Sequence, residues 1–261
     1  MRLDLYEAAQ IANKAVDLAV HLFTTLTPDQ VISKSDRDTV TNVDLTIERE
    51  VRDYLHSQLP NAGFLGEEDG QIGPADGAVW VLDPIDGTAN FTHGMPLSGI
   101  SLALIINGAP VIGVIATPKL ANRRYTAIVG EGSWCGTGRL MVSATVDPRQ
   151  AIVSIGDYAT GPGSDEKNAN RLRLTEQLSK SVERVRMFGS AAVDLAWVSE
   201  GITDAVIMLV NKPWDTAAGV LIAAEAGAIV LDHLGEPHNL HSPSLLVANP
   251  SLARKLVQLI R

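Results

Sequence analysis

Two stretches in the first sixty positions carry hydrophobic residues at helical spacing. Residues 3–26 place apolar side chains every third or fourth position, with charged residues between them, and predict a long amphipathic helix. Residues 43–59 repeat the pattern and are followed by Pro60, which cannot continue a helix, so a second helix is predicted there. The intervening residues 28–38 are mostly polar and predict a loop.

Beyond residue 60 the apolar runs become short and continuous, which is typical of strands. A hairpin is predicted in 98–118, where Asn107-Gly108 separates two apolar runs. Further strands are predicted at 79–82, 123–130 and 139–143. The first half of the chain therefore reads as α+β with an antiparallel sheet.

From about residue 150 the predicted strands and helices alternate, which favours layered α/β packing. Strands are predicted within 151–157, 182–189, 204–209 and 228–232, and helices within 165–180, 190–201 and 214–227. We therefore expect an N-terminal α+β subdomain, 1–148, and a C-terminal α/β subdomain, 149–261. No flexible linker separates them, so tight packing into one functional unit is expected.

Composition and charge exclude several classes of protein. With 46% hydrophobic and 20% charged residues the chain is typical of a soluble globular protein, and no apolar run is long enough for a membrane span. The net charge of −9 argues against a nucleic-acid-binding face. The single cysteine, Cys135, excludes an internal disulfide and fits the reducing cytoplasm. An acidic protein that handles phosphates would need metal cations.

Two carboxylates follow the apolar run 79–82. Asp83 and Asp86 flank Pro84, which restricts the backbone and would hold both acids in a turn. The carbonyl of Ile85 is a candidate third oxygen ligand, and an all-oxygen set is what Mg²⁺ prefers. A structural turn with Asp as a helix cap would produce the same short motif.

Two further acidic sites favour a metal site over a purely structural turn. Glu67 follows the predicted strand in 63–69, and Asp215 follows Trp214 at a predicted helix start. Acids clustered at the ends of strands and helices repel one another unless a cation lies between them. Together these residues would provide ligands for two or three Mg²⁺ ions, although their spatial convergence cannot be seen in the sequence.

The motifs GEED, WVLDPIDGTANF and PWDTAAGVLIAAEAGA, in this order and spacing, closely resemble those of the inositol monophosphatase family. This family belongs to the lithium-sensitive, Mg²⁺-dependent phosphatases. The resemblance implies the layered αβαβα sandwich of the sugar phosphatases, a homodimer, and hydrolysis of a small phosphomonoester by metal-activated water.

The resemblance also implies a role for individual residues. The metal ligands would be Glu67, Asp83, the Ile85 carbonyl, Asp86 and Asp215, with Asp83 shared between two ions. The catalytic residues would be Glu67 and Thr88, which orient the water, and Asp44, which hydrogen-bonds Thr88. The substrate contacts would be Asp86, Gly87, Thr88, Gly189, Ser190 and Ala191. Lys34 is either a loop lysine near the metals or a solvated one.

One position departs from the family pattern. Inositol-specific members usually carry a glutamate six residues before the Trp-Asp pair, where this chain has Met208. Inositol monophosphate is the leading candidate substrate, but histidinol phosphate, fructose 1,6-bisphosphate, 3′-phosphoadenosine 5′-phosphate and NADP stay open. A bisphosphate or nucleotide would favour a more basic pocket, which the sequence does not indicate. A regulatory binding protein that retains the fold is the alternative of another class, although the intact set of acids argues against it.

Overall fold

A computed structural model describes residues 3–29, 31–35 and 38–260. Within this part the chain forms five layers, in the order helices, sheet, helices, sheet, helices. The helices are α1 (Leu5–Thr25), α2 (Asn42–Gln58), α3 (Thr88–Thr92), α4 (Ser164–Ser179), α5 (Ala191–Ser199), α6 (Pro213–Glu225) and α7 (Pro250–Ile260). The layered αβαβα sandwich expected from the sequence is confirmed.

The larger sheet is built from the first half of the chain. It has eight strands in the order β10-β9-β8-β7-β6-β5-β3-β4, all antiparallel except the parallel pair β3 and β5. The strands are β3 (Gly63–Gly66), β4 (Gly70–Ile72), β5 (Ala78–Asp86), β6 (Gly99–Ile106), β7 (Ala109–Thr117), β8 (Arg123–Ile128), β9 (Gly132–Cys135) and β10 (Gly138–Arg139). A separate hairpin precedes them, formed by β1 (Val31–Ser35) and β2 (Asp38–Thr41).

The smaller sheet has five strands in the order β12-β11-β13-β15-β14. The strands are β11 (Ile152–Ile155), β12 (Arg184–Arg186), β13 (Ala205–Met208), β14 (Ile229–Leu231) and β15 (Leu245–Ala248). β11, β12 and β13 are parallel, as the alternation of strands and helices predicts, and β15 runs antiparallel to β13 and β14.

Strand β5 shows how the layers are joined. Its residues alternate between the two faces of the sheet, as the pleat requires. Trp80 and Leu82 pack into the core shared with α1 and α2, while Val79 and Val81 pack into the core shared with α5 and α6. The strand is covered on both faces, which explains its continuous apolar sequence.

Helices α5 and α6 form the middle layer and contact both sheets. The larger sheet receives α6 very closely, because a Cβ on Gly113 of β7 would lie 2.6 Å from the carbonyl oxygen of Ala218. The small residues of α6 therefore serve close packing, as their pattern indicates. On the outer face of the smaller sheet, α4 and α7 complete the fifth layer.

Two local predictions were wrong. Residues 31–35 form strand β1 where a loop was predicted over 28–38, and they pair with β2 in a hairpin. Residues 139–143 contribute only Arg139 to a strand, while the unpredicted β9 supplies the pairing with β8. In the described ranges no helix is long and apolar enough to cross a membrane.

Candidate active site

The carboxyl end of β5 delivers two buried acids into a distorted turn. β5 pairs Asp83 with Ser101 and Asp86 with Gly99 of β6, so three steps on β5 match two on its neighbour. This bulge occurs at Pro84, which has no N–H to give to the ladder. The N–H of Ile85 donates to the Asp83 carboxylate at 3.0 Å, which fixes that side chain within the turn.

Asp215, in the first turn of α6, joins these two acids. Carboxylate oxygens of Asp83, Asp86 and Asp215 lie within 4.8 Å of one another, and we call this group the carboxylate triad. Burial, together with the charges of neighbouring carboxylates, raises the pKa of all three side chains: that of Asp83 well above its ordinary range, that of Asp86 to about 6 and that of Asp215 to about 8. Three such groups are compatible as carboxylates when a cation lies between them.

Asp86 is held by the amino end of α5, in the other half of the chain. Its carboxylate accepts hydrogen bonds from the Ser190 hydroxyl, from the Ala191 N–H at 3.2 Å and from the Ala192 N–H at 2.7 Å. Ser190 also caps α5 by accepting from the Val193 N–H at 3.2 Å, as predicted. The predicted substrate loop, Gly189 to Ala191, therefore lies against the triad, and Ala192 adds a contact that the sequence motifs did not reveal.

Glu67 stands at the edge of this group. It follows β3, and its N–H donates to the Leu82 carbonyl at 3.2 Å. Its carboxylate is not part of the triad and lies 4.0 Å from the Lys212 ammonium, but its charge raises the pKa of each triad member. Glu67 is thus near the predicted metal site but is not one of the three carboxylates of the triad.

Glu48 positions the acidic turn after β3, and sequence reasoning missed it. Its buried carboxylate accepts from the N–H groups of Glu68 at 3.0 Å and Asp69 at 2.6 Å. A Cβ on Gly66 would lie 2.4 Å from one of its oxygens, so the glycine makes room for it. The only available signal was its spacing of four residues from Asp44, which puts both acids on one face of α2.

Asp44, Thr88 and Ile85 form a second small network. Asp44 closes the capping box of α2 by accepting from the Thr41 N–H at 3.0 Å, and burial raises its pKa. The Thr88 hydroxyl donates to the Ile85 carbonyl at 3.0 Å and lies 3.4 Å from the Asp44 carboxylate. The structure therefore brings these predicted residues together.

Gly87 lies where the turn after β5 contacts the loop before α5, and only glycine fits this position. Its φ is +83°, and a Cβ there would lie 2.9 Å from the Gly189 carbonyl and 3.0 Å from that of Leu97. Asn90, which was not predicted, fixes the same contact by donating to the carbonyls of Leu97 and Phe188, at 2.7 Å each.

A cavity of about 300 Å³ opens beside the triad. It is lined by Asp86, Asp215, Met208 and the loop 189–191. Arg171 of α4 and Lys212 also line it, beside Asp157 and Asp194, and Arg171 is a cation that sequence reasoning missed. The reason is topological: Arg171 belongs to no recognisable motif and reaches the cavity only through the docking of α4. The side chain of Lys34 lies outside the described part of the chain.

Comparison with known proteins identifies the family. A family model described as the inositol monophosphatase family matches residues 3–261. The chain belongs to the inositol monophosphatase family. It is accordingly a phosphoric monoester hydrolase.

Individual members of the inositol monophosphatase family resemble the chain over most of its length. A fructose-1,6-bisphosphatase/inositol-1-monophosphatase of Thermotoga maritima is 32% identical over 224 residues, 86% of this chain and 83% of the relative. The Nus factor SuhB of Escherichia coli is 31% identical over 261 residues, 97% of this chain and 94% of the relative. The solved inositol monophosphatase of Anabaena superposes with a TM-score of 0.88 at 28% identity, covering 99% of this chain and 96% of that one.

Proposed function

We propose that this protein hydrolyses a small phosphomonoester in a reaction that depends on Mg²⁺. The observation that carries the proposal is the carboxylate triad, in which three acids from β5 and α6 converge within 4.8 Å. Two of them, Asp86 and Asp215, line a cavity large enough for a phosphorylated metabolite. The donor set consists of oxygens, which suits a hard divalent cation such as Mg²⁺.

The triad would hold the cations together with Glu67 and the Ile85 carbonyl, and two or three ions would be accommodated. When bound, Mg²⁺ would neutralise phosphate charge and lower the pKa of water in the site. The raised pKa values of the triad support this assignment, because the protein keeps acids together where their charges repel.

The remaining residues would orient the reactants. Glu67 and Thr88 would position the attacking water, and Asp44 would hold the Thr88 hydroxyl in place, in line with the 3.4 Å separation of their oxygens. The backbone N–H groups of Gly87 and Thr88 would receive phosphate oxygens. Asp86 and the loop from Gly189 to Ala191 would contact the substrate beside them.

Inositol monophosphate is the substrate that the names of the relatives favour, and fructose 1,6-bisphosphate is named for the Thermotoga relative as well. Histidinol phosphate, 3′-phosphoadenosine 5′-phosphate and NADP complete the group to be tested. Met208, buried in the cavity wall, offers a polyol no useful hydrogen bond, so recognition of the leaving alcohol depends on other residues.

The experiment is phosphate release from these five substrates with Mg²⁺ and with a chelator. We expect Mg²⁺-dependent release from at least one substrate, loss of that release in Asp215→Asn, and normal release in the matched control Asp165→Asn. Asp165 also lies in the first turn of a helix, α4, but is exposed. Retained turnover in Asp215→Asn would contradict the metal assignment.

A regulatory binding role is the second candidate, because one relative is a Nus factor. It predicts that Mg²⁺ binds, as followed by calorimetry, while no substrate releases phosphate.

We further propose that the protein is a homodimer. Within each chain, the boundary between the two subdomains is proposed near residue 148. The larger sheet ends at Arg139 and the smaller begins at Ile152. Sedimentation that finds only monomer at micromolar concentration would contradict the dimer.

A further inference from the structure

Arg171 lies in the wall of the cavity beside the triad. It belongs to α4, which covers the outer face of the smaller sheet, and only 7% of the residue is exposed. The same cavity contains Asp86 and Asp215, so a ligand that bridges the cavity would meet the triad and the guanidinium together.

The Arg171 guanidinium has no hydrogen-bond or ion-pair partner among the described residues. The more exposed arginines Arg52, Arg123 and Arg124 each pair with a carboxylate. An arginine carries five N–H donors and keeps its charge even when burial lowers its pKa, as it does here. Burying such a group without a partner is costly, which is the situation expected when the partner is a ligand.

The surroundings of Arg171 favour an anion. A second cavity, of about 380 Å³, shares Arg171 and Leu209 with the first. Lys167, Arg173 and His233 line it, and no acidic side chain is found among the described residues of its wall. In a protein with a net charge of −9, these side chains form a basic cluster on one side of Arg171.

Recognition of a neutral polyol would have to rely on residues of the wall other than Met208. Met208 occupies the cavity wall and accepts no useful hydrogen bond from a hydroxyl. Lys212 adds a second cation to the wall. Two further acids, the exposed Asp157 and the buried Asp194, line the cavity too, and neither makes an ion pair with Arg171 in the described structure.

We propose that Arg171 binds a second anionic group on the alcohol that leaves, and so directs the enzyme toward phosphomonoesters with a second phosphate or a carboxylate. This inference rests on the proposed phosphatase activity and ranks anionic substrates above inositol monophosphate. A phosphate or carboxylate would accept two parallel N–H bonds from the planar guanidinium. Arg171 would then be the specificity-determining residue, while the triad performs the same task for every substrate.

The test uses two matched pairs of substrates. Fructose 1,6-bisphosphate is compared with fructose 1-phosphate, and 2-phosphoglycerate with glycerol 2-phosphate. The first pair measures the effect of a second phosphate, and the second pair measures the effect of a carboxylate. In at least one pair, we expect the wild type to have a kcat/KM about ten- to a hundred-fold higher for the member with the second anionic group. This is the range for hydrogen bonds to a charged group. Arg171→Gln should remove that preference, chiefly through KM.

Two further variants keep the result interpretable. Arg171→Lys retains the charge but not the planar fork, and should keep part of the preference. Arg254→Gln removes an exposed arginine of α7 that lines neither cavity, and should leave the preference unchanged. Circular dichroism and thermal unfolding establish that each variant is folded. If Arg171→Gln does not fold, the comparison of Arg171→Lys with wild type decides.

Several results would overturn the proposal. They are equal kcat/KM within both pairs for the wild type, or an equal loss on both members of a pair in Arg171→Gln. If the wild type hydrolyses neither pair nor inositol monophosphate, the proposed function fails separately. Calorimetric binding of fructose 1,6-bisphosphate, in the presence of Mg²⁺, then still tests Arg171, because at least a ten-fold weaker binding is expected in Arg171→Gln and equal binding would refute its role.

Discussion

Replacing Asp215 by asparagine should stabilise the metal-free protein while removing its response to Mg²⁺. The wild-type carboxyl group lies within 4.8 Å of Asp83 and Asp86, and burial together with the charge of Asp86 raises its pKa to about 8. Asparagine has nearly the same shape and no charge, so it would relieve the repulsion and remove one of the metal ligands.

The size of the effect follows from the pKa. At pH 7 an ordinary aspartate, of pKa 3.8, is ionised, whereas folded Asp215 must take up a proton or carry an unfavourable charge. At ~1.4 kcal/mol per pKa unit, the difference between pH 7 and 3.8 corresponds to about 4 kcal/mol of lost stability. Since a buried amide also costs free energy, we expect a gain of about 2–4 kcal/mol. For a chain of 261 residues that gain is an increase of about 4–7 °C in Tm.

The measurement is thermal unfolding at pH 7, in chelator and in a series of Mg²⁺ concentrations. Wild type should have the lower Tm in chelator and should gain stability as Mg²⁺ is added, because the ion binds the folded state. Asp215→Asn should have the higher Tm in chelator and little response to Mg²⁺. The control Asp165→Asn should follow wild type in both. A lower Tm of Asp215→Asn in chelator, or an undiminished response to Mg²⁺, would refute the reasoning.

The remaining predictions concern pH, the acidic turn and the left-handed glycine. Because the pKa values of the carboxylate triad are raised, the folded metal-free protein binds protons that the unfolded chain releases, so its stability should fall as pH rises from about 4 to 8; a flat or rising Tm in chelator would contradict this. Glu48→Gln should cost about 1–3 kcal/mol in urea unfolding, because the two N–H groups bond different carboxylate oxygens and the amide NH₂ that replaces one of them cannot accept. Glu50→Gln on the exposed face should cost almost nothing. Gly87→Ala should be at least ~1 kcal/mol more destabilising than Gly94→Ala and should reduce phosphate release. Both glycines have positive φ, but of the two only Gly87 has carbonyl oxygens within about 3 Å of the added Cβ. Equal losses of stability would show that backbone strain alone matters.

The parts of the site that were predictable are those encoded in short segments. Asp83, Ile85 and Asp86 lie in one turn whose geometry is imposed by Pro84, so their grouping follows from local rules. Ser190 is the cap of the helix that follows it, which is again a local effect. The αβαβα layers follow from periodicity together with the family resemblance.

The parts that could not be predicted depend on docking. Glu48 acts on a turn twenty residues away, which only the packing of α2 brings into reach. Arg171 sits on a polar helix, and its burial results from the way α4 covers the smaller sheet. The β1–β2 hairpin was not predicted because most of its residues are polar, and the apolar residues Val31, Ile32 and Val40 form no alternating pattern that would indicate strands. In each case the local sequence is compatible with a solvated position, and tertiary contacts decide.

The middle layer restricts how this fold could be divided or recombined. α5 and α6 come from the C-terminal half of the chain, yet one of their faces fills the core beneath the sheet of the N-terminal half. A chain that ended at residue 148 would expose the apolar face that carries Val79, Val81 and Tyr125, and patches of that kind promote aggregation. A recombinant that takes the larger sheet from one parent would therefore need α5 and α6 from the same parent. In the chain, however, β11, α4 and β12 lie between the larger sheet and α5.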